Sequence, residues 1–246
     1  MRLVKIALIS DIHGNLEAFH AVLHDIDAAG VDHLVCLGDI VGYGADPAAC
    51  LDLVRERQPR VIVQGNHDAY AADERDLDAF NPLAAAATIW TRQQLGEERR
   101  QWLRDLPLHG YIEPDVMLVH ASPSDPGAWE YLRFLADGAL ALADQPTRYC
   151  FFGHTHVPMA FRHDGERVDQ LIESEYDASE GDHWLVNVGS VGQPRDGDWR
   201  AAWTLFDHDA QRIELRRIEY DIETCMLKIV GAGLPERLAE RLTKGR

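Results

Sequence analysis

The strongest constraint on the fold of this chain is that five short apolar segments each end in a polar motif. The segments have the length of β-strands and occupy residues 3–10, 33–38, 60–65, 116–120 and 148–153. The motifs at their ends read "SDIHGN", "GDIVGYG", "GNHD", "VHASP" and "GHTH". Because ligands of open α/β sheets bind beyond the carboxyl ends of strands, the five motifs are expected to meet at one edge.

Helical patterns separate the early apolar segments. "NLEAFHAVLHDIDAAG" repeats apolar residues at spacings of three and four and stops at Gly30, and "DPAACLDLVRERQ" opens with Asp46 as a candidate N-cap before Pro47. This alternation predicts parallel strands in the first part. After residue 156 the strand-like segments follow one another without helices, which predicts antiparallel pairing. The sequence therefore indicates an α/β fold, with one mixed sheet or two sheets packed face to face.

We predict one domain over residues 1–246, since the chain contains no repeat, low-complexity tract or Gly/Ser-rich linker. A helical insertion is expected at about 69–110 and a helical tail at about 221–246. Within the insertion, residues 80–106 have the pattern of one or two helices. Two interpretations of these helices stay open, a cap over a binding site and a packed structural pair.

The net charge of −17 opposes binding to nucleic-acid backbones and to anionic membranes. No apolar run approaches the length of a membrane span, and the first one is too short for a signal peptide. The four cysteines are scattered and form no CxxC pair, which is typical of a reducing compartment. We therefore expect a cytoplasmic protein without a membrane partner; the sequence does not indicate its oligomeric state.

The motifs contain seven candidate metal ligands. They are Asp11, His13, Asp39, Asn66, His120, His154 and His156. Oxygen and imidazole donors without thiolate favour manganese, iron, zinc or cobalt over calcium or a cysteine-type zinc site. Seven donors are too many for one tetrahedral ion, but they suit two ions that share a carboxylate. Such pairs of ions, about 3.5–4 Å apart, clamp the attacking and leaving oxygens in phosphoester displacement.

In their order and spacing, these motifs resemble those of the calcineurin-like metallophosphoesterases. The resemblance runs from residue 6 to about residue 206 and is closest to the small bacterial and archaeal phosphodiesterase branch, which also has a segment like "NVGSVGQPRDGD", here residues 187–198. It implies a four-layer α/β/β/α sandwich of two mixed sheets flanked by helices. It also implies two divalent transition metal ions, with manganese expected in vitro and iron, zinc, cobalt or nickel as alternatives.

The resemblance assigns a role to each candidate residue. Asp11, His13 and His156 would bind the first ion, Asn66, His120 and His154 the second, and Asp39 would bridge both. His67 would act as general acid or phosphate contact, with a purely structural histidine as the alternative. Asp68 is expected either to orient a histidine or to cap a helix.

The reaction implied is hydrolysis of a phosphodiester by in-line attack of a metal-bridging hydroxide, on a small phosphoester or nucleotide. One alternative is a phosphomonoesterase or nucleotide phosphatase of the same family; such enzymes typically carry "GDxVDRG" and "GNHE", where this chain has "GDIVGYG" and "GNHD". The other alternative is a non-catalytic scaffold on this fold. A scaffold would be expected to lack His67 or a ligand, and this chain keeps them all.

Weaker features of the sequence concern substrate binding. Arg195 is a candidate for gripping a phosphate, although "QPRDGD" is also good turn chemistry. Tyr43 is a candidate for lining the pocket. We interpret the aromatic residues Trp90, Trp102, Trp129 and Tyr131 as core, with pocket walls as the alternative.

Overall fold

The computed structural model describes residues 4–78 and 80–246; Leu3, the first residue of the first predicted strand, lies outside these ranges. The strands are β1 (Lys5–Ile9), β2 (His33–Cys36), β3 (Val61–Ile62), β4 (His109–Glu113), β5 (Val116–Val119), β6 (Tyr149–Phe152), β7 (Met159–His163), β8 (Val168–Leu171), β9 (Glu175–Asp177), β10 (His183–Asn187), β11 (Ala201–Asp207) and β12 (Arg212–Ile218). The helices are α1 (Leu16–Ala29), α2 (Pro47–Arg57), α3 (Asn66–Ala72), α4 (Pro82–Arg104), α5 (Leu135–Asp144), α6 (Ile222–Gly231) and α7 (Glu236–Glu240), followed by a 3-10 turn at Leu242–Lys244.

The strands form two mixed sheets of six. The first has the order β3-β2-β1-β11-β12-β9, with β1, β2 and β3 parallel and the remaining pairs antiparallel. The second has the order β4-β5-β6-β10-β7-β8, with β5, β6 and β10 parallel. The parallel strands of each sheet end at one edge, as the alternation of strands and helices predicted.

Alternation of side chains along the strands produces four layers. In β6, Tyr149 and Phe151 face the core between the two sheets, whereas Cys150 and Phe152 face the core beneath α5. Strand β1 alternates in the same way between the inter-sheet core and the core beneath α1 and α2. Helices α4, α6 and α7 join that outer core. The predicted α/β/β/α sandwich is therefore confirmed.

The strand-like segments of the sequence after residue 156 are 184–189, 201–207 and 212–220, and they correspond to β10, β11 and β12. Strands β4, β7, β8 and β9 and helix α5 were not among the predicted elements. Strands β8 ("VDQL") and β9 ("EYD") are short, polar and at sheet edges, so they lack the apolar alternation that identifies a strand. The pairs that form among the strands after residue 156 are antiparallel as expected, and β10 also runs parallel to the earlier strand β6.

The predicted C-terminal stop of α1 and the predicted N-cap of α2 can be compared with the structure. Gly30 closes α1 in the left-handed conformation, with φ 63°. Asp46 occupies the N-cap position of α2 before Pro47, but its side chain caps no backbone N–H. Its carboxylate instead lies 2.9 Å from Lys228 Nζ on α6. Asp46 thereby ties the C-terminal helices to α2.

The segment at 80–106 contains α4, which is interrupted at Gly96 (φ 65°) and so forms two helical pieces. Asn81 caps its first turn by accepting from the backbone N–H groups of Leu83 and Ala84. Helix α4 packs on α3 and α2 and contributes Leu95 and Leu103 to the outer core. Trp90 and Trp102 pack against the same core, in agreement with their interpretation as core residues.

Candidate active site

The predicted site residues lie just beyond the carboxyl ends of neighbouring strands. Asp11 and His13 follow β1, Asp39 follows β2, Asn66 and His67 begin α3 after β3, His120 follows β5, and His154 and His156 follow β6. Every one of these side chains is at least nine-tenths buried. We call the seven predicted ligands, without His67, the ligand cluster.

The backbone of the ligand cluster is strained. Five of its residues have φ between 50° and 63°, namely Asp11, His13, Asp39, His154 and His156. Such conformations cost of order 1–3 kcal/mol each for residues other than glycine, and surrounding contacts must hold them. Ser190 Oγ donates to the carbonyl of Asp11, and Asn187 donates to the carbonyl of Gly153, next to His154. These two polar residues fix the strand-end loops from the side of β10.

The donor atoms of the cluster form two groups that share one carboxylate. Asp11, His13, Asp39 and His156 offer atoms that all lie within 4.8 Å of one another, and so do Asp39, His120 and His154. In the first group His13 Nε2 is 3.1 Å from His156 Nε2, which is 3.2 Å from Asp11 Oδ1. In the second, His120 Nε2 is 3.3 Å from Asp39 Oδ2. Asn66 is the next residue after Gly65, whose Cα lies so close to Asp39 that an added Cβ would stand 2.1 Å from Asp39 Oδ1.

Three of the imidazoles are oriented by backbone carbonyls. The Nδ1 atoms of His13, His120 and His156 lie 3.0, 2.7 and 2.6 Å from the carbonyl oxygens of Val41, Leu37 and Gln193. A carbonyl accepts only, so the Nδ1 of each ring carries a proton, and a neutral ring in this tautomer presents the lone pair of its Nε2 to the centre of the cluster. This tautomer is the one that binds metal ions.

Several buried atoms that face the cluster lack hydrogen bonds. Asp11 Oδ1, Asn66 Oδ1, His120 Nε2 and His154 Nε2 make none with the residues that the structure describes. An unsatisfied buried polar atom costs about 1–3 kcal/mol, and four in one place are not tolerated without a compensating partner. A divalent cation in each group would satisfy the atoms of Asp11, His120 and His154, which belong to those groups. The donor set therefore fits the two metal ions that the sequence predicted.

Burial and neighbouring charges set the protonation of the cluster. Burial opposes ionisation of Asp11 and Asp39, but the surrounding imidazoles keep the pKa of each carboxyl well below its ordinary value. Burial lowers the pKa of His154 to about 3, and burial together with the charge of Arg195 lowers the pKa of His156 to about 4. Both imidazoles are therefore neutral at pH 7, which is the state required of a ligand.

His67 lies beside the ligand cluster without joining it. Its ring centre is 4.9 Å from that of His13 and 4.5 Å from that of Tyr43, and its backbone N–H donates to Asp39 Oδ1 at 2.8 Å. Its Nδ1 makes no hydrogen bond within the described ranges. Gly42 (φ 94°) leaves room for the ring, since a Cβ there would stand 2.7 Å from His67 Nδ1. Burial lowers the pKa of His67 well below its ordinary value.

Among the residues that the structure describes, Asp68 accepts hydrogen bonds from backbone N–H groups and from no histidine side chain. Its Oδ2 accepts from the N–H of Gly65, which precedes α3, and its Oδ1 accepts from those of Ile40 and Val41. The carbonyl of Val41 in turn accepts from His13 Nδ1. Asp68 therefore has the helix-capping role, and the other alternative, that it accepts the N–H of a histidine side chain, is not found among the described residues.

A cavity of about 240 Å³ opens beside His67 and Asn66. Its walls are mainly aromatic and include Tyr43, Tyr70, Phe80, Trp129 and Tyr131; we call it the aromatic cavity. The interpretation of Trp129 and Tyr131 as core was wrong, because the loop between β5 and α5 turns these rings towards the site. Tyr131 stacks on His154 with ring centres 4.1 Å apart, and Trp129 lies 5.9 Å from His120. Tyr70 and Phe80 were not identified from the sequence.

Two arginines lie close to the ring of Tyr43. Arg195 has its Cζ 5.6 Å from the Tyr43 ring centre, and its backbone N–H donates to the carbonyl of His156. Arg241, from the segment after α7, has its Cζ 5.9 Å from the same ring centre. We call Arg195 and Arg241 the arginine pair. Arg241 was not identified from the sequence, because nothing in a short amphipathic tail indicates which of its charged residues faces a distant loop.

Comparison with known proteins identifies the family. A model of the calcineurin-like phosphoesterase superfamily domain matches residues 4–210. This chain therefore belongs to the calcineurin-like phosphoesterase superfamily, whose members are metal-dependent. The family resemblance stated from the motifs is confirmed.

Three relatives show how far the similarity extends. An uncharacterised protein of Methanocaldococcus jannaschii is 42% identical over 247 residues, which is 98% of each chain. A metallophosphoesterase from Sphaerobacter thermophilus has a crystal structure with a TM-score of 0.89 and 43% identity, covering 100% of both chains. The phosphodiesterase YfcE of Escherichia coli is 24% identical over 216 residues, 84% of this chain and 89% of that one.

Two further observations bear on the environment of the protein. Within the described part of the chain, no helix combines the length and apolar character needed to cross a membrane. All four cysteines, Cys36, Cys50, Cys150 and Cys225, are buried as free thiols.

Proposed function

We propose that this protein is a phosphodiesterase that uses two divalent transition metal ions to hydrolyse a small phosphoester or nucleotide. The observation that carries the proposal is that Asp39 belongs to both groups of donor atoms. A shared carboxylate holds two cations close together, as phosphoester hydrolysis by paired metals requires. The cytoplasmic location stays a prediction.

In this proposal Asp11, His13 and His156 hold one cation, Asn66, His120 and His154 hold the other, and Asp39 bridges them. Manganese is the ion we would add first, with iron, zinc, cobalt and nickel as alternatives that the same donors accept. When bound, the cations would supply a hydroxide nucleophile at neutral pH and would offset charge on the phosphoryl oxygens.

His67 protonates the leaving oxygen or donates a hydrogen bond to the phosphoryl group. The new bond joins phosphorus to an oxygen from water, the bond to the leaving oxygen breaks, and that oxygen takes the proton of the imidazole. Burial keeps the free imidazole neutral. An anionic phosphoryl group beside it would favour the protonated form, so His67 gains its proton when the substrate binds.

The aromatic cavity gives the organic part of the substrate a place to bind. A base or aryl group of the ester would pack against Tyr70 and Phe80, whose ring centres are 4.6 Å apart. Helix α4 of the insertion packs into the core, as a structural helix would. Ala84 in its first turn also lines the aromatic cavity, so in this proposal α4 would cover part of the substrate site as well.

The test compares manganese-dependent hydrolysis of bis(p-nitrophenyl) phosphate with that of p-nitrophenyl phosphate. The protein is first stripped with a chelator, and the stripped protein serves as the control. We expect no turnover before manganese is added and faster cleavage of the diester afterwards. Faster cleavage of the monoester would favour the phosphomonoesterase alternative, and no cleavage with any of the five metals would favour the scaffold.

A further inference from the structure

The walls of the aromatic cavity are uncharged. The described residues that line it include no Asp, Glu, Lys or Arg. A charged group of a ligand would lose its hydration there without gaining an ionic partner. The volume of about 240 Å³ is below the roughly 300–1,000 Å³ of pockets for drug-sized ligands. The cavity therefore suits a single uncharged ring system.

The aromatic walls can hold such a ring but cannot select it. The ring centres of Tyr70 and Phe80 are 4.6 Å apart, and that of Phe80 is 5.1 Å from His67. A ligand ring that stacks on these walls thus lies beside His67. Every nucleobase has a π-face, so stacking tolerates a change of ring. Preference for one kind of ring has to come from hydrogen-bonding groups in the walls.

Asn81, which also lines the cavity, carries such a group. Its Oδ1 accepts from the backbone N–H groups of Leu83 and Ala84 at 3.1 and 3.0 Å. A backbone N–H only donates, so the oxygen of the amide, and not the nitrogen, faces the first turn of α4. The Nδ2 atom makes no hydrogen bond with residues 4–78 or 80–246. The end of the side chain that is left for a ligand is therefore a pure donor.

The position of Asn81 is fixed relative to the rest of the cavity. Helix α4, which Asn81 caps, packs on α3, and α3 begins with Asn66 and His67. Arg92 of α4 donates from Nε to the carbonyl of Tyr70 at 2.9 Å. The amide donor, the Tyr70 wall and His67 are thus held together by the same helix pair. A donor held in this way loses little freedom when it binds a ligand.

We propose that Asn81 determines substrate specificity by donating a hydrogen bond from Nδ2 to a nucleobase with an exocyclic carbonyl, bound in the aromatic cavity. The inference rests on the proposed function, which places the organic part of the substrate there. A ring without an acceptor would cover Nδ2 and leave it unpaired, and that costs binding energy. The cavity would thus accept many rings by stacking and prefer those that carry a carbonyl.

The test compares two diesters of nearly the same shape. They are thymidine 5′-(p-nitrophenyl phosphate) and the analogue in which 2,4-difluorotoluene replaces thymine, so that fluorine atoms, which are very weak acceptors, stand in place of the carbonyl oxygens. In the manganese-loaded wild type we expect KM to be about 10-fold lower for the thymidine ester, with kcat within about twofold. Equal KM values for the two esters would overturn the proposal.

Two substitutions remove the donor and keep the helix cap. Asn81→Ser and Asn81→Asp both place a preferred N-cap residue before α4. We expect the KM ratio of the two esters to fall to about twofold or less in each variant. The charge of the aspartate acts equally on both esters and cancels in the ratio. A ratio that stays near 10-fold in either variant would contradict the assignment to Asn81.

The matched control is Asp221→Ser. Asp221 is the N-cap of α6, where its side chain accepts from the N–H of Thr224, and it does not line the aromatic cavity. This variant makes the same kind of change at a helix N-terminus away from the cavity. It should keep the 10-fold ratio; loss of the ratio here would assign the effect to helix capping and overturn the proposal.

The outcomes separate this inference from the proposed function. If the manganese-loaded wild type cleaves neither ester, the phosphodiesterase proposal fails, and the same two esters serve as binding probes in calorimetry. A Kd about 10-fold lower for the thymidine ester, abolished by Asn81→Ser, would then support recognition of the base by Asn81, whereas equal Kd values would overturn it. The thermal midpoint of each variant checks its folding. If Asn81→Ser fails to fold, the isosteric Asn81→Asp carries the comparison.

Discussion

The ligand cluster and the rim around it, which consists of the aromatic cavity and the arginine pair, are built in different ways. Each residue of the cluster comes a few positions after a strand of one of the two sheets, and five of the seven have a strained backbone with positive φ. The rim draws on segments far apart in the chain, including the loop at Tyr43, the start of α4 and the tail at Arg241. The proposed metal-binding part of the site is thus positioned by the two sheets, and the proposed substrate-binding part by the segments that pack on them.

This difference predicts how substitutions in the cluster and in the rim would affect activity. Moving a cluster residue disturbs the strand-end loops and the shared carboxylate together, because Asp39 contacts His120, His13 and the backbone of His67. A rim residue such as Phe80 lines the cavity and belongs to neither group of donor atoms. We therefore expect cluster substitutions to abolish activity and rim substitutions to alter substrate preference.

The largest effect is expected from Asp39→Asn. The amide would provide only one neutral oxygen where the carboxylate offers two charged ones, so both groups of donors lose their common member. We expect kcat/KM for bis(p-nitrophenyl) phosphate to fall by about 10³-fold or more and bound manganese to fall with it. Metal is measured by elemental analysis of dialysed protein. Asp144→Asn, at an exposed position, is the control and should change neither quantity.

Full activity of Asp39→Asn with two bound ions would contradict the expectation that the cluster, and not the rim, carries the chemistry. It would mean that the shared carboxylate is not what holds the ions together. The rim would then have to contribute to the chemistry as well.

A smaller loss, dependent on the leaving group, is expected from His67→Ala. A general acid contributes about 10²- to 10⁴-fold, but p-nitrophenolate leaves readily without a proton. We expect a loss of about 10³-fold for a diester with an unsubstituted phenyl leaving group and about 10-fold for p-nitrophenyl, with metal content unchanged. Equal losses for both leaving groups would assign His67 to the phosphate contact and not to proton transfer.

The same division separates what the sequence could predict from what it could not. Residues such as Asp39 and His120 stand directly after apolar strands, and chain order alone places them at a common edge. Arg241 is 198 positions after Tyr43 and reaches it only because α6 and α7 pack on the outer core, partly through the Lys228–Asp46 pair. Long-range packing of this kind leaves no periodic pattern. Edge strands such as β8 also lack a periodic apolar pattern, but for a different reason: they are short and half-exposed.

Metal binding should stabilise the folded protein. Asn66 Oδ1 and His154 Nε2 have no hydrogen-bond partner among the described residues, and bound ions would satisfy them if the proposed ligation is correct. The unfolded chain offers no such arrangement. With manganese at about 100 times its Kd, linkage predicts about 2.7 kcal/mol, or a rise in Tm of about 5–10 °C for a chain of this size. Differential scanning calorimetry of the chelator-stripped and the manganese-reloaded protein measures this rise in Tm. A midpoint that does not move on reloading would contradict the fit between the cluster and the ions.

The smallest effect is expected from Phe80→Ala in the aromatic cavity. The ring of Phe80 lies 5.1 Å from His67 and 4.6 Å from Tyr70, so its removal takes away apolar contact with the organic group of the ester but no donor to the metals. We expect KM for an aryl diester to rise about 10-fold with kcat within about twofold, the pattern of lost uniform binding. Phe134→Ala, where the ring is 70% exposed, is the control. A large fall in kcat at unchanged KM would contradict the separation between cluster and rim, because Phe80 would then act on the chemical step through the position of His67.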